Sequence, residues 1–162
     1  MNAPSQRIAA PQRGHLFRSE LVDSIARLEK WTLHVLQSVP VPAGSKNSAK
    51  IPQFVTQRVK SVKDLEGAHP RLMHSWEETK SLLDQLEQFW TLRSALVHAV
   101  MTATIGHDGT AYFTFESTGA TSGPVWDRRK TLSEAELSPI VKEVGLLIDR
   151  LCEQFRRPTF GR

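Results

Sequence analysis

The chain has 162 residues, with 21 basic and 17 acidic side chains and a formal net charge of +4. A hydrophobic fraction of 40% is enough for a folded core, which excludes a globally disordered chain, and the length predicts one domain. The mild basic excess permits a polyanionic partner such as RNA without requiring one, because the charges are scattered along the chain.

The single cysteine, Cys152, lies in an apolar helical pattern, so no internal disulfide can form and nothing indicates an oxidising compartment. We expect this thiol to be buried as a small hydrophobic side chain. No apolar run approaches the roughly 20 residues that cross a bilayer, and the N-terminus lacks the apolar core of a secretory signal. We therefore predict a cytoplasmic protein with no membrane partner.

The chain is predicted to begin with a flexible arm, residues 1–18, which is polar and contains two prolines and three arginines. A solvated tail is the simpler interpretation of this arm, and contact with nucleic acid is the alternative. Ser19 can cap a first helix that runs to about Ser38. Its apolar positions recur at steps of three and four, namely Leu21, Ile25, Leu28, Thr32, Val35 and Val39.

Two further helices are predicted in the middle of the chain, over about 51–67 and 70–100. The first carries a basic surface, which is either simply solvated or faces phosphates. The second has an apolar stripe with alternating steps of four and three, the pattern of a bundle seam. The stripe consists of Leu72, Trp76, Thr79, Leu83, Leu86, Trp90, Arg93, Val97 and Val100.

A β-hairpin is predicted next, because residues 101–105 and 110–116 are rich in β-formers and flank the turn signal His107-Asp108-Gly109. Val125-Trp126 can add a short extended piece. A last helix is predicted from the capping box Ser133–Glu136 to about residue 156.

Pro139 lies close to the start of that last helix. It either kinks the helix or marks a second start that Ser138 caps.

Together these elements predict an all-α fold, an up-and-down four-helix bundle with a small β-hairpin inserted between helices 3 and 4. The helical domain is expected over residues 19–157. It follows the arm of residues 1–18 and precedes a C-terminal tail of residues 158–162.

The candidate site is the motif Arg93-Ser94-Ala-Leu-Val-His98, near the end of the third helix. Arg93 falls inside the apolar stripe, where a free charge is costly, and a misfit of this kind points to a functional site. Five residues turn an ideal helix by about 500°, so the two side chains differ in direction by about 140°. They can line one groove if the last turn opens or if a second copy packs across it.

The motif suits RNA cleavage. A histidine can take a proton at neutral pH, as the attack of a ribose 2′-hydroxyl on phosphate requires. The guanidinium of Arg93 can bind phosphoryl oxygens in a bidentate manner, and Ser94 can add a hydrogen bond. This chemistry needs no metal and no cofactor. No zinc-protease motif accompanies His69 and His74, and we expect no metal site.

A purely structural role is the alternative. A histidine at a helix C-terminus interacts favourably with the helix dipole. An arginine in a seam can reach solvent or pair with a carboxylate, for which Glu29, Asp84 and Glu87 are candidates.

With this architecture and this motif at the end of its third helix, the chain resembles the HEPN superfamily of helical-bundle proteins. The pattern there is an arginine, four to six residues and a histidine, often with asparagine after the arginine, where this chain has Ser94. The segments LLDQLEQFWTLRSALVHA, DGTAYFTFE and RRKTLSEAEL look like bacterial members with a hairpin after the motif. The resemblance covers roughly residues 19–156.

The resemblance implies a metal-independent endoribonuclease of toxin–antitoxin, phage-defence or RNA-processing systems. Such proteins form homodimers in which two copies of the motif build one site. Arg93 would hold the phosphate, His98 would act in proton transfer, and RNA and a cognate antitoxin would be partners. Because other members have lost catalysis, the alternative function is a non-catalytic interaction or nucleotide-binding module.

Overall fold

The structure, a computed structural model, describes residues 9–39, 51–117 and 129–156. These residues form four helices and one three-stranded antiparallel sheet. In chain order the elements are α1 (Ala10–Ser38), α2 (Val55–Lys63), α3 (Trp76–Val97), β1 (Ala99–Ile105), β2 (Ala111–Ser117), β3 (Arg129–Ser133) and α4 (Glu134–Gln154). The predicted all-α class, a four-helix bundle with a small hairpin, is wrong. A third strand completes a sheet, and the fold is mixed α/β.

The chain divides into two compact units. Unit 1 consists of Met1–Asp23 and Gln88–Val144, and unit 2 consists of Ser24–Glu87 and Gly145–Arg162. The whole sheet and all three residues of the candidate motif belong to unit 1.

The two predicted strands are present and pair with each other, but as part of the three-stranded sheet and not as a separate small hairpin. β1 and β2 pair in register from Ala99 opposite Ser117 to Ile105 opposite Ala111. The connecting turn is held by Asp108, whose carboxylate accepts hydrogen bonds from the backbone N–H and the hydroxyl of Thr110, both at 2.9 Å. These two bonds lower the pKa of Asp108.

The third strand, β3, was missed in the sequence. It pairs with β2 from Tyr112 opposite Ser133 to Glu116 opposite Arg129. Its five residues open with two exposed charges, Arg129 and Lys130, so it lacks the apolar alternation on which strand prediction depends. The extended piece expected at residues 125–126 lies outside the described residues.

The first helix begins at Ala10, so residues 10–18 are helical, which corrects the predicted arm and the predicted start at Ser19. Gly14 and Phe17 are buried and extend the apolar spacing of the helix toward its N-terminus. Pro11 is tolerated because the first turn of a helix does not use its N–H groups.

Gly14 allows α1 to approach the sheet closely. A Cβ at this position would lie 2.4 Å from Sδ of Met101 and 2.7 Å from Cδ1 of Phe113. Phe113 is fully buried, so its ring has little room to withdraw. We expect Gly14→Ala to lower the free energy of unfolding by about 1–2 kcal/mol, measured by urea unfolding, because overpacking outweighs the better helix propensity of alanine.

Gly145→Ala is the matched control, because Gly145 also lies inside a helix but a Cβ there meets no atom within 4 Å. Alanine should raise the free energy of unfolding there by up to about 1 kcal/mol. Equal changes for the two variants would contradict the close approach at Gly14.

The helices α2 and α3 are shorter than predicted. The second helix covers Val55–Lys63 instead of about 51–67. The third begins at Trp76 because Ser75 caps it, accepting the N–H of Glu78 at 3.1 Å, and it ends at Val97. The predicted helix over about 70–100 was therefore too long at both ends.

One of the two bonds of the predicted capping box of α4 is present, the one from the Ser133 backbone to the Glu136 side chain. The backbone N–H and the hydroxyl of Ser133 both donate to Oε2 of Glu136 at 2.7 Å, and these hydrogen bonds lower the pKa of Glu136. The helix runs as one element through Pro139 to Gln154, so Ser138 does not cap a second start.

In unit 2, ion pairs join residues that are far apart in the sequence. Lys63 lies 2.5 Å from Asp84, and Arg150 lies 2.8 Å from Glu78. The expected burial of Cys152 is wrong, since the residue is exposed. Neighbouring atoms still desolvate its thiol enough to raise its pKa. Within the described part of the chain, no helix has the length and apolar character to cross a membrane.

Candidate functional site

Arg93 continues the buried stripe of α3. Leu86 and Trp90, the two stripe residues before it, are 0% and 6% exposed, and Leu96 on the next turn is fully buried. Arg93 itself is half-buried, and its Nε is shielded from solvent. The structure thus confirms the feature that singled out this residue, a guanidinium at a position where the pattern calls for an apolar side chain.

His98 is the first residue after α3 and lies in the turn that leads into β1. It is exposed. The helix ends at Val97, so His98 lies outside its last turn. Because His98 lies outside the helix, the angle of about 140° expected between the two side chains on an ideal helix does not apply to it.

Ser94 is exposed on α3, about 100° around the helix from Arg93. One segment of six residues therefore combines a half-buried guanidinium with a hydroxyl and an imidazole that solvent can reach. Of the three carboxylates considered as structural partners of Arg93, Glu29 is half-buried, Asp84 is bound by Lys63 and Glu87 is exposed.

A concave surface of unit 1, which we call the α1–α4 groove, lies elsewhere. It has a volume of about 450 Å³ and is crossed by an ion pair of 2.7 Å between Nε of Arg13 and Oε1 of Glu134. None of the three motif residues lines it. The groove is lined by Arg13, Leu16, Phe17, Glu20, Glu134, Leu137, Ser138, Val141 and Lys142.

This groove could not be predicted from the assigned elements, because Arg13, Leu16 and Phe17 lie in the segment that was predicted as an arm. The spacing of Gly14, Phe17 and Leu21 was the signal that could have shown that this segment is helical.

Unit 1 contains a second half-buried guanidinium, that of Arg18. It lies 5.5 Å from the centroid of the Phe115 ring, a cation–π contact. Its Nε and Nη2 are shielded from solvent and have no hydrogen-bond partner among the described residues. Buried N–H groups without an acceptor are costly, so an anionic oxygen that reached Arg18 would be stabilised. Arg18 lies in the segment that was predicted as an arm.

Among the described residues, no group of three or more histidine, cysteine, aspartate or glutamate side chains is arranged to hold a metal ion. His69 and His74, the pair considered in the sequence, belong to unit 2 and not to the unit that contains the motif. Comparison of the chain with protein-family models, with curated proteins and with solved structures gives no match.

Proposed function

We propose that this protein is a metal-independent endoribonuclease of HEPN type that acts as a homodimer, with Arg93 and His98 as catalytic residues and Ser94 assisting. The observation that carries the proposal is the end of α3 at Val97. It leaves a half-buried arginine on the helix and an exposed histidine just beyond it. A cation for the phosphoryl oxygens together with an accessible base is the combination that cleavage of RNA requires.

The reaction would be an internal transfer at phosphorus. His98 takes the proton of a ribose 2′-hydroxyl, whose oxygen forms a bond to the adjacent phosphorus while the bond to the 5′-oxygen breaks. The products are a 2′,3′-cyclic phosphate and a 5′-hydroxyl, the leaving oxygen taking a proton from water. Arg93 stabilises the charge on the phosphoryl oxygens with two parallel N–H donors, and Ser94 can donate a further hydrogen bond.

The half-burial of Arg93 favours this role. A guanidinium shielded from water is held in place by its surroundings and interacts more strongly with an anion than an exposed one does. The net charge of +4 adds a weak general attraction for RNA. For the biological setting we propose the cytoplasm and a toxin–antitoxin or phage-defence system, with a cognate antitoxin as the protein partner.

The first test is an assay of RNA cleavage by the wild-type protein in the presence of EDTA. We expect cleavage that the chelator does not reduce, with products that end in a 2′,3′-cyclic phosphate. Absence of cleavage across structured and single-stranded RNA substrates would contradict the proposal and favour the non-catalytic interaction module.

Arg93 can be tested with two variants that differ in what they keep. Arg93→Leu removes the charge and should lower the rate of cleavage at least about tenfold, whereas Arg93→Lys keeps the charge without the bidentate fork and should retain part of the activity. Urea unfolding of both variants shows whether the fold is intact. If Arg93→Leu is folded and fully active, Arg93 has no catalytic role.

A further inference from the structure

The two edges of the sheet differ in their chemistry. The strand order is β1-β2-β3, so within the described residues β1 and β3 are both edge strands. At one edge, β3 begins with the exposed charges Arg129 and Lys130. At the other edge, β1 has no charged residue and no proline. Natural edge strands are usually blocked by charge, proline or a bulge, because an open edge pairs readily with another strand.

β1 also exposes an apolar side chain on each face of the sheet, Val100 on one face and Ile105 on the other. Val100 is 59% exposed and Ile105 is 61% exposed, while Thr102 and Thr104 are exposed between them. A seven-residue strand of this kind, uncharged and rich in β-formers, is typical of a segment that another strand covers.

The hydrogen bonds of the hairpin show which backbone groups remain available. The N–H of Gly106 donates to the carbonyl of Thr110 at 2.8 Å, and hydrogen-bonded pairs alternate along an antiparallel ladder. The even-numbered residues of β1 therefore bond to β2. The odd-numbered residues direct their N–H and C=O groups to the free edge, and these are Ala99, Met101, Ala103 and Ile105.

We propose that β1 pairs antiparallel with β1 of a second copy of this chain, about a two-fold axis at Thr102, to form a continuous six-stranded sheet. This register pairs the whole strand, with Ala99 opposite Ile105, Val100 opposite Thr104 and Met101 opposite Ala103. It uses the odd-numbered groups as hydrogen-bonded pairs and forms about eight interchain bonds.

The composition of β1 favours a second copy as the occupant. On the face with the odd-numbered residues, Ile105 and Met101 each lie opposite an alanine, so each large side chain meets a small one. On the other face the β-branched Val100 lies opposite the β-branched Thr104, which is a favourable cross-strand pair. The strand is neutral in a chain of net charge +4, so two copies can meet there without placing like charges opposite one another. The edge formed by β3 is not neutral in this way, because the strand begins with two charged residues.

The interface also has a consequence for the candidate site. His98 directly precedes β1, and in this register it lies opposite Gly106 of the second copy, beside the hairpin turn with His107 and Asp108. The two His98 residues lie eight residues apart along the paired strands, about 27 Å at 3.3–3.4 Å per residue. Each copy then keeps its own site, unlike the shared site that the HEPN resemblance implies.

The proposal goes beyond the proposed function, because it assigns a dimer in which each copy has its own site, and it does not rest on RNA cleavage. Its test measures mass and amide exchange. Sedimentation of the full chain at micromolar concentration should give about 36 kDa, twice the chain mass of 18.2 kDa. Thr102→Lys places two like charges at the two-fold axis and should raise the dissociation constant of the dimer at least about tenfold. A monomeric wild type would overturn the proposal.

The matched control is Thr131→Lys. Thr131 is exposed and lies in the same cross-strand row as Thr102 and Thr114, but on the opposite edge of the sheet. This variant should dimerise as the wild type does. Equal effects of the two lysines would overturn the proposal, as would unchanged dimerisation of Thr102→Lys.

Two further measurements place the interface at Thr102 itself. An equimolar mixture of Thr102→Lys and Thr102→Glu should recover a heterodimer, because opposite charges then meet at the axis. Amide exchange of Met101, Ala103 and Ile105 should slow at least about tenfold as the wild type is concentrated, while Thr102 and Thr104 stay protected throughout. Protection of all five amides at every concentration would mean that the chain itself covers β1, and would overturn the proposal.

Discussion

His98→Ala should lower the rate of RNA cleavage by about 10²–10⁴-fold, the usual contribution of a general base. The imidazole is exposed directly after α3, where RNA can reach it. Alanine removes the proton acceptor but leaves Arg93 and the rest of the binding surface in place. The loss should therefore appear in kcat, with a smaller change in KM. The measurement is steady-state cleavage of a labelled RNA in EDTA, at a protein concentration that keeps the oligomeric state of the wild type.

His15→Ala is the control for this prediction. His15 is also an exposed histidine of unit 1, but it lies on α1 outside the motif. It should keep wild-type activity, and both variants should unfold at the wild-type urea concentration, because replacing an exposed side chain changes stability little. Cleavage by folded His98→Ala at the wild-type rate would show that the histidine is not the base.

The sequence predicted the interior of the elements better than their ends. The stripe from Trp76 to Trp90 is buried as expected, because apolar periodicity reports directly on burial. The start of α3 was placed too early, although Ser75 and Glu78 have the spacing of a capping box. At the other end the apolar spacing continues to Val100, and the change to β-branched residues was the better signal for the strand that begins at Ala99.

What the sequence could not supply was pairing between distant segments. The strand β3 exists because its backbone groups bond to β2 residues that are 13 to 21 positions away, and two of its five residues are charged. The α1–α4 groove depends in the same way on contact between Arg13 and Glu134, 121 positions apart. For the motif, the partial burial of Arg93 and the position of His98 near the helix end could be predicted, because both follow from local patterns.

Phe113→Ala should lower the free energy of unfolding by about 3–5 kcal/mol, the range found when a buried aromatic side chain is replaced by alanine. Phe113 is fully buried in β2, the central strand, with Ala103 and Leu132 opposite it on either side. Its removal leaves a cavity where α1 meets the sheet at Gly14, which neither neighbouring strand can fill without moving. Because domains are stable by only about 5–15 kcal/mol, much of the total would be lost.

Phe54→Ala makes the same chemical change at an exposed position. Phe54 is 64% exposed at the start of α2, and its side chain makes no capping hydrogen bond there. Its free energy of unfolding should stay within about 0.5 kcal/mol of the wild type, as measured by urea unfolding. If Phe113→Ala does not fold, Phe113→Leu removes less volume and should still cost more than Phe54→Ala. Similar losses of unfolding free energy at the two positions would mean that β2 is not the centre of the core. Removal of a ring from a central strand should cost far more than removal of an exposed ring at the start of a helix.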